Sequence, residues 1–522
     1  MRVWRSLCIT TLALFIVFLT AAADAQAAGL SREEKKLVDA IDGKRAEIID
    51  ALATLVRIPS RTGDEGDVQK YQAGSFRRMG MDVDVWEPDV RELFEKFPDV
   101  AQNPSRWQPE WGLALSAPGR FTYESLMRSP YDAVKSYRGR PNVVGLLKGS
   151  GGGKSLILNG HADTINLGDE KSWKAVPFGA QSVVNRLYGR GAADMKGGLV
   201  AAQKAVQAVV EAGIRLKGDV ILQSVVNGEY SGNGTLGCVL RGYKADAAIM
   251  NGSTGSGRVV DDSSGVLYFE VRTKGREIYA EGRPQMPPPG EGRTGEPYSV
   301  GAVEKMAVVI NALAVLERDL NRLYGPGIFQ LAVGIVRGGN FTASSARDCV
   351  LHGALFFNVF PRHTDFAGIP GVWNVWNILN DAVAKAAQGD PRLRENPPAV
   401  AIAHYAEAYN NLPDAPIVKA IREAYRDVAG KEIRVAGFRL PAVGRSDDRR
   451  DEEIIGKVLG WLGPGVAHAA GDMRHLGNAG QMSTVAYGPA GGNVHALDEW
   501  VDLEDLMTAT KVLAVVISRW CR

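Results

Sequence analysis

The residues best suited to chemistry lie in and around one stretch, Leu156–Asp194. An apolar run ends in His161 and Asp163, so a predicted strand carries an imidazole at its tip and a carboxylate two residues on. Such a carboxylate can hold the second ring nitrogen, fix the tautomer and leave the first nitrogen to bind a metal ion. Asp194 follows in a glycine-flanked turn ahead of a predicted helix, Gly198–Ala212, where the chain can approach an ion closely. That position suits a bridging ligand.

A further candidate, Glu229, lies far from this stretch in sequence. It follows the β-rich run Asp219–Val226. In a parallel sheet, ligand groups gather at the carboxyl ends of the strands, so Glu229 is expected near His161. Imidazole and carboxylate ligands suit Zn²⁺, with Mn²⁺ or Co²⁺ as alternatives.

Chain length and the pattern of strand-like and helical segments around these residues indicate an α/β protein of two domains. At 522 residues, 45% of them apolar, the chain is too long for one compact core. Short β-rich runs at Asn142–Leu147, Ser155–Asn159 and Asp219–Val226 are separated by helical segments. That alternation predicts a mostly parallel sheet flanked by helices.

A second, α+β segment is predicted from Gly265 onward. A long helical stretch and four strand-like runs occur there, at Gly265–Thr273, Val300–Leu323, Ile328–Val336, Cys349–Phe360 and Ala399–Tyr405. Strand, helix, two strands, helix, strand is the ferredoxin-like order.

The N-terminus has the pattern of a secretory signal peptide. A basic start, Met1–Arg5, precedes an apolar core, Leu7–Thr20, and a small-residue tract, Ala21–Ala28. The apolar core is shorter than the roughly 20 residues that span a bilayer. We therefore predict a periplasmic or secreted protein with no membrane contact after cleavage; an uncleaved anchor is the alternative.

Charge and cysteine content argue against several classes of function. A net charge of +2 without a basic stripe predicts no nucleic-acid partner. Of the four cysteines, Cys8 leaves with the signal peptide, and Cys238, Cys349 and Cys521 allow at most one disulfide. None of the three lies in a CxxC motif or beside a histidine, which argues against a cysteine nucleophile or a thiolate metal site.

Four blocks, in this order, resemble the M20 family of co-catalytic metallopeptidases: NGHAD, GRGAADMKGG, GEYSGNGT and YGPAGGNVHALDEW. The family includes glutamate-releasing carboxypeptidases, acetylornithine deacetylases and succinyl-diaminopimelate desuccinylases. The resemblance covers most of the chain beyond the signal peptide. It implies a hydrolase that uses one or two metal ions to cleave amide bonds in small peptides or N-acyl amino acids.

The resemblance also assigns roles within the blocks. It implies that His161 and a shared Asp194 hold a first ion, and that Glu229 and His495 complete a second ion site with Asp194. Asp163, beside His161, and Glu229 are implied as catalytic residues. Each residue alone could be an ordinary polar side chain; together, their context and order favour a metal site.

The resemblance implies that the ferredoxin-like segment is a lid inserted into the catalytic domain and used for homodimer contacts. We therefore expect a signal peptide at 1–27, a catalytic domain at 28–264 and 412–522, and a lid at 265–411.

Three positions depart from the family pattern. The water-activating Glu is replaced by Gly228, an acidic metal ligand by Gly252, and a lid histidine that stabilises the oxyanion by Tyr279. A general base typically contributes about 10²–10⁴-fold in rate and an oxyanion donor about 10²–10³-fold. If the two glycines silence a peptidase, Gly228→Glu, alone or with Gly252→Glu, should raise its activity.

Nearby acids offer possible replacements for the missing ligand. Asp261 and Asp262 follow Gly252, and Asp498 and Glu499 follow His495. The preferred interpretation is structural: the first pair forms a turn before the lid, and the second pair caps a helix that starts near residue 503.

Candidate substrate-binding residues rest on weaker matches. Arg474 lies in a segment that resembles the family's substrate-carboxylate site and could form a bidentate pair with a carboxylate. Asn340 and Tyr279 are candidate lid contacts. An ordinary packing or surface role remains open for Arg474 and Asn340.

Three functions remain open on the sequence. A metal-dependent amide hydrolase with a small-molecule or peptide substrate ranks first. A non-catalytic relative that binds an amino-acid-like ligand and a single-metal enzyme redirected to another reaction are the alternatives.

Overall fold

The computed structural model describes residues 29–98, 123–127, 135–280, 301–324, 327–357, 372–394, 396–411, 414–436 and 471–522. Within them the helices are α1 (Arg32–Gly43), α2 (Arg45–Arg57), α3 (Gly66–Arg78), α4 (Val90–Lys96), α5 (Tyr123–Met127), α6 (Gly197–Glu211), α7 (Asn233–Leu240), α8 (Ala302–Tyr324), α9 (Val372–Gly389), α10 (Pro391–Arg394), α11 (Pro416–Ala429) and α12 (Leu503–Trp520). The strands are β1 (Asp82–Trp86), β2 (Asn142–Leu147), β3 (Leu156–His161), β4 (Gln181–Val183), β5 (Arg186–Tyr188), β6 (Val220–Val225), β7 (Ala247–Met250), β8 (Arg258–Val260), β9 (Asp262–Ser263), β10 (Gly265–Lys274), β11 (Phe329–Gly338), β12 (Asp348–Phe357), β13 (Ala399–Ala406), β14 (Tyr409–Asn410), β15 (Arg434–Ala436), β16 (Ser483–Ala486), β17 (Gly491–Gly492) and β18 (Trp500–Asp502). The predicted signal peptide lies outside the described residues.

An eight-stranded sheet combines strands from both ends of the chain, in the order β1-β2-β6-β3-β7-β16-β8-β15. Its centre is parallel, because β3 pairs in parallel with β6 and β7, and β7 with β16. β1 and β2 form an antiparallel edge. The prediction of an α/β protein with a mostly parallel sheet is confirmed.

The central strands are buried because helices cover the sheet. Every residue of β3 and β6 is buried, as expected for parallel strands that are covered on both faces. α6 and α12 pack against each other, and Leu158, Leu199 and Leu513 belong to one apolar core. This packing fixes the carboxyl end of β3, where His161 is the last strand residue.

A second, four-stranded antiparallel sheet has the order β11-β12-β10-β13. α8 and α9 pack on it, and Phe269, Val309, Leu351 and Leu379 share its core. The strand order and the two helices are those of a ferredoxin-like unit.

No helix among the described residues is both long and apolar enough to cross a membrane. Cys238, Cys349 and Cys521 are buried free thiols.

Candidate metal centre

The four predicted metal ligands converge beyond the carboxyl end of β3. Ligand atoms of His161, Asp194 and Glu229 all lie within 4.8 Å of one another. His495 Nε2 lies 3.2 Å from Asp194 Oδ2 and 2.9 Å from Glu229 Oε2. Glu229 and His495, which lie 266 positions apart in sequence, therefore meet in one cluster.

Asp194 lies between the two imidazoles. Its Oδ1 is 3.4 Å from His161 Nε2, whereas its Oδ2 faces His495. Each oxygen thus addresses a different ring, which is the arrangement that a carboxylate shared by two ions requires. The Asp194 side chain is one-quarter exposed, so the cluster opens to solvent on this side.

Asp163 connects His161 to the turn that carries Glu229. The Nδ1–H of His161 donates to the main-chain carbonyl of Asp163 at 3.1 Å and lies 3.4 Å from its Oδ1. The amides of Gly228 and Glu229 donate to the two carboxylate oxygens at 2.8 and 3.2 Å. The Thr62 hydroxyl donates to Oδ2 at 2.6 Å. One buried carboxylate therefore orients the His161 ring and anchors the Glu229 turn.

A second buried carboxylate, Glu65, holds the same turn one residue earlier. Asn227 has a left-handed backbone (φ 61°), and its amide donates to Glu65 Oε1 at 3.3 Å. Arg140 donates to both Glu65 oxygens, at 2.6 and 2.7 Å, and the Tyr137 hydroxyl donates to Asn227 Oδ1 at 2.7 Å. Sequence reasoning missed this network, because nothing local marks Glu65, 162 residues from its partner.

The carboxylates of the cluster lie beside the two histidines and shift the pKa values of their imidazoles. Burial opposes protonation of His161, but Asp163 and Asp194 hold the pKa of its imidazole well above the usual range. Hydrogen bonds to Asp194 and Glu229 raise the pKa of His495 to about 10. Burial, and then the charge of Asp194, raise the pKa of Glu229 to about 7. Burial acts to raise the pKa of Asp194, yet both histidines bring it below its ordinary value.

The donor set fits a metal cation. Because Nδ1–H of His161 donates to a carbonyl, a ring without a second proton would direct its Nε2 lone pair at Asp194 Oδ1. His495 Nε2 likewise faces oxygens of Asp194 and Glu229. Such lone pairs repel unless a proton or a cation lies between them. Two imidazoles and two carboxylates are ligands that Zn²⁺ accepts.

The acids considered as replacement ligands have structural partners. Asp262 lies in β9, paired with Asn410 of β14, and the Asp261 carbonyl accepts from the amide of Asn411. Asp498 accepts the amides of residues 174 and 175 at 2.8 and 3.1 Å. Glu499 accepts amides of the turn that carries Asp194.

The expectation that Asp498 and Glu499 cap the last helix is wrong. Asp502 caps α12, accepting from the amide of Asp505. The cap lies directly before the first helical residue, where its carboxylate can reach the free amides of the first turn.

The structure brings Arg474 to the Glu229 turn. It is 2% exposed, and its guanidinium donates to the carbonyls of Ser231 and Gly471 at 2.7 and 3.2 Å. Asn340 lies in an exposed turn after β11, and Tyr279 is 52% exposed, with its backbone bridged to Ser344. Neither Asn340 nor Tyr279 makes a hydrogen bond to the cluster in the described part of the chain.

The chain is similar in sequence to known proteins of one family. The sequence model described as peptidase family M20/M25/M40 matches residues 157–469. The chain is 31% identical over 403 residues to an N-formyl-4-amino-5-aminomethyl-2-methylpyrimidine deformylase of Bacillus subtilis (strain 168), covering 74% of this chain and 84% of that protein. It is 25% identical over 508 residues to the deformylase of the same name from Halalkalibacterium halodurans, covering 93% of this chain and 97% of that protein.

The fold also matches solved structures. A dinuclear metal binding peptidase of the M20 family from Bacillus subtilis aligns with a TM-score of 0.52 and 13% identity, over 91% of this chain and 98% of the other.

Proposed function

Because this chain belongs to the M20/M25/M40 peptidase family, we propose that it is a metal-dependent hydrolase that cleaves the amide of a small N-acyl amine, N-formyl amines included. The convergence of His161, Asp194, Glu229 and His495 carries the proposal. The likeness to two deformylases supports a short acyl group and an amine product.

The cluster would hold one or two ions. His161 and Asp194 would hold the first, and Asp194, Glu229 and His495 the second. Zn²⁺ is the proposed metal, with Mn²⁺ or Co²⁺ as alternatives. A bound divalent ion polarises a substrate carbonyl and lowers the pKa of water.

The protein's own groups orient the ligands and move the proton. Asp163 fixes the His161 tautomer and, through the amides of Gly228 and Glu229, the position of the Glu229 carboxylate. Position 228 has no side chain that could act as a base. In our proposal, Glu229 therefore takes the proton from water and passes it to the leaving nitrogen. Arg474, buried beside this turn, is proposed to contact the substrate.

The test is a substrate panel on protein loaded with Zn²⁺ or Mn²⁺: N-formyl aminomethylpyrimidines, N-acyl amino acids and dipeptides. We expect formyl amines to be hydrolysed, chelation to abolish turnover, and added metal to restore it. Glu229→Gln should lower kcat by about 10²–10⁴-fold. Turnover that survives chelation, or hydrolysis of dipeptides alone, would contradict the proposal.

A binding role without turnover is the second candidate, favoured by glycine at both 228 and 252. Calorimetry with the amine product and metal-loaded protein separates the two functions. Tight binding without hydrolysis of any member of the panel would favour the binding role. Turnover of an unrelated substrate at a single ion would favour a redirected enzyme.

We also propose that the protein is exported after cleavage within residues 21–28 and that it forms a homodimer through the ferredoxin-like unit. The composition of the N-terminal segment supports export. β11, at the edge of its sheet, supports the dimer, because an unpaired strand edge can pair with a second copy. N-terminal sequencing of the exported protein and light scattering test the two proposals.

A further inference from the structure

Glu499 lies under the turn that carries Asp194 and is surrounded by donors. Its Oε1 accepts the amides of Ala193 and Asp194, both at 3.0 Å. Its Oε2 accepts the amide of Gly191 at 2.9 Å and Nη1 of Arg190 at 2.7 Å. The side chain is 1% exposed, so water does not compete for these bonds.

The three amides come from one short turn and all donate to this carboxylate. Removing Glu499 would take away the acceptor of all three, and a buried donor left unsatisfied is costly. A buried carboxylate that accepts several amides is a strong, charge-assisted anchor. Arg190, stacked 5.0 Å from the centre of the Trp173 ring and 2% exposed, balances the charge. The turn therefore takes its shape from Glu499.

Glu499 also belongs to the segment that presents His495, four residues earlier. That segment has left-handed backbone at Asn493, His495 and Asp498, with φ of 55°, 60° and 53°. Such conformations persist only where surrounding contacts impose them. The amide of Gly189 donates to the Glu499 carbonyl at 2.8 Å, a further bond between the two segments.

We infer that Glu499 is a positioning residue that sets Asp194 against His495 and so builds the site these two share with Glu229. The inference rests on the proposed metal centre. Glu499 touches no other residue of the cluster through its carboxylate and acts only through the turn.

The experiment is metal titration of full-length Glu499→Gln beside the wild type, by calorimetry with Zn²⁺ and by the Co²⁺ absorption spectrum. Gln places an NH₂ group against N–H donors, so the turn should move. We expect about 10–100-fold weaker binding of metal, the range seen when groups behind the ligands are replaced. The Co²⁺ spectrum should change as well.

The control is Glu504→Gln, on α12 and paired with Arg45 at 2.7 Å on the surface. It should bind metal as the wild type does. Equal affinity and an equal spectrum in Glu499→Gln would overturn the inference and leave the metal centre standing. Failure of the wild type to bind metal would instead remove the proposed function.

Hydrogen exchange on the metal-free wild type keeps the inference testable if Glu499→Gln does not fold. The amides of Gly191, Ala193 and Asp194 should exchange slowly before any metal is added, because Glu499 already accepts them. Exchange of these amides at the rate of exposed loops would overturn the inference.

Discussion

Two glycines occupy positions where the family resemblance implies acids, and their surroundings differ. A Cβ atom built on Gly228 would lie 2.3 Å from both Cβ and Cγ of His161. Among the described residues, a Cβ atom on Gly252 would meet only the end of the flexible Met250 side chain, at 3.3 Å. The backbone therefore requires glycine at 228, whereas at 252 it has room for a side chain.

The same replacement in sequence, an acid by a glycine, therefore has a different physical cause at each position. The amide of Gly228 donates to Asp163, which draws the turn against the His161 ring. The main chain at 228 thus lies too close to the His161 side chain for any side chain to fit there. No such close contact occurs at 252 among the described residues.

The largest effect is expected from Gly228→Ala. The added methyl group overlaps His161, so the turn or the imidazole must shift, and overpacking of this kind costs about 1–3 kcal/mol. Metal content should fall with stability, measured by denaturant unfolding and by metal analysis. For this backbone we expect no gain in activity from Gly228→Glu, because the longer side chain begins with the same overlap. A Gly228→Ala protein with native stability and metal content would show that position 228 accepts a side chain, as position 252 is expected to do.

A double-mutant cycle tests whether His161 causes the strain. His161→Gly removes the Cβ and the ring that the new methyl group meets, so Gly228→Ala should cost less in that background. We expect a coupling of about 0.5–3 kcal/mol, the range for residues in contact. Unfolding free energies of the four proteins give the coupling. Additive costs would mean that another contact opposes a side chain at 228.

The sequence predicted the ends of the strands better than the support behind them. β3 and β6 each begin with three branched apolar residues, so the positions of His161 and Glu229 beyond them followed from local pattern. The network behind them is made of pairs such as Glu65 with Asn227 and Glu499 with Arg190, 162 and 309 residues apart. No periodicity or spacing in the sequence encodes such pairs, because they form only when folding brings distant segments of the chain together.

Gly252→Glu should add a ligand without straining the backbone. His161 and Asp194 alone hold the first ion in our proposal, and catalytic metal sites usually have three protein ligands. We expect tightly held metal to rise from about one to about two ions per chain. Metal analysis after dialysis measures this, with Gly252→Gln as the uncharged control. An unchanged count would show that position 252 does not face the ion.

Gly252→Ala should have the smallest effect, and its size decides whether the two glycines truly differ. Position 252 has no left-handed backbone, so alanine can adopt its conformation. Removing glycine from the unfolded chain stabilises by about 0.4–1 kcal/mol where the native conformation allows it. Moving Met250 Cε by a few tenths of an ångström offsets part of this gain, because a methionine side chain adapts easily. The net change in unfolding free energy should therefore lie within about 0.5 kcal/mol of zero, which is smaller than the loss expected at 228. A loss as large as that of Gly228→Ala would mean that both turns require glycine, and the metal count of Gly252→Glu could then no longer be attributed to the carboxylate alone.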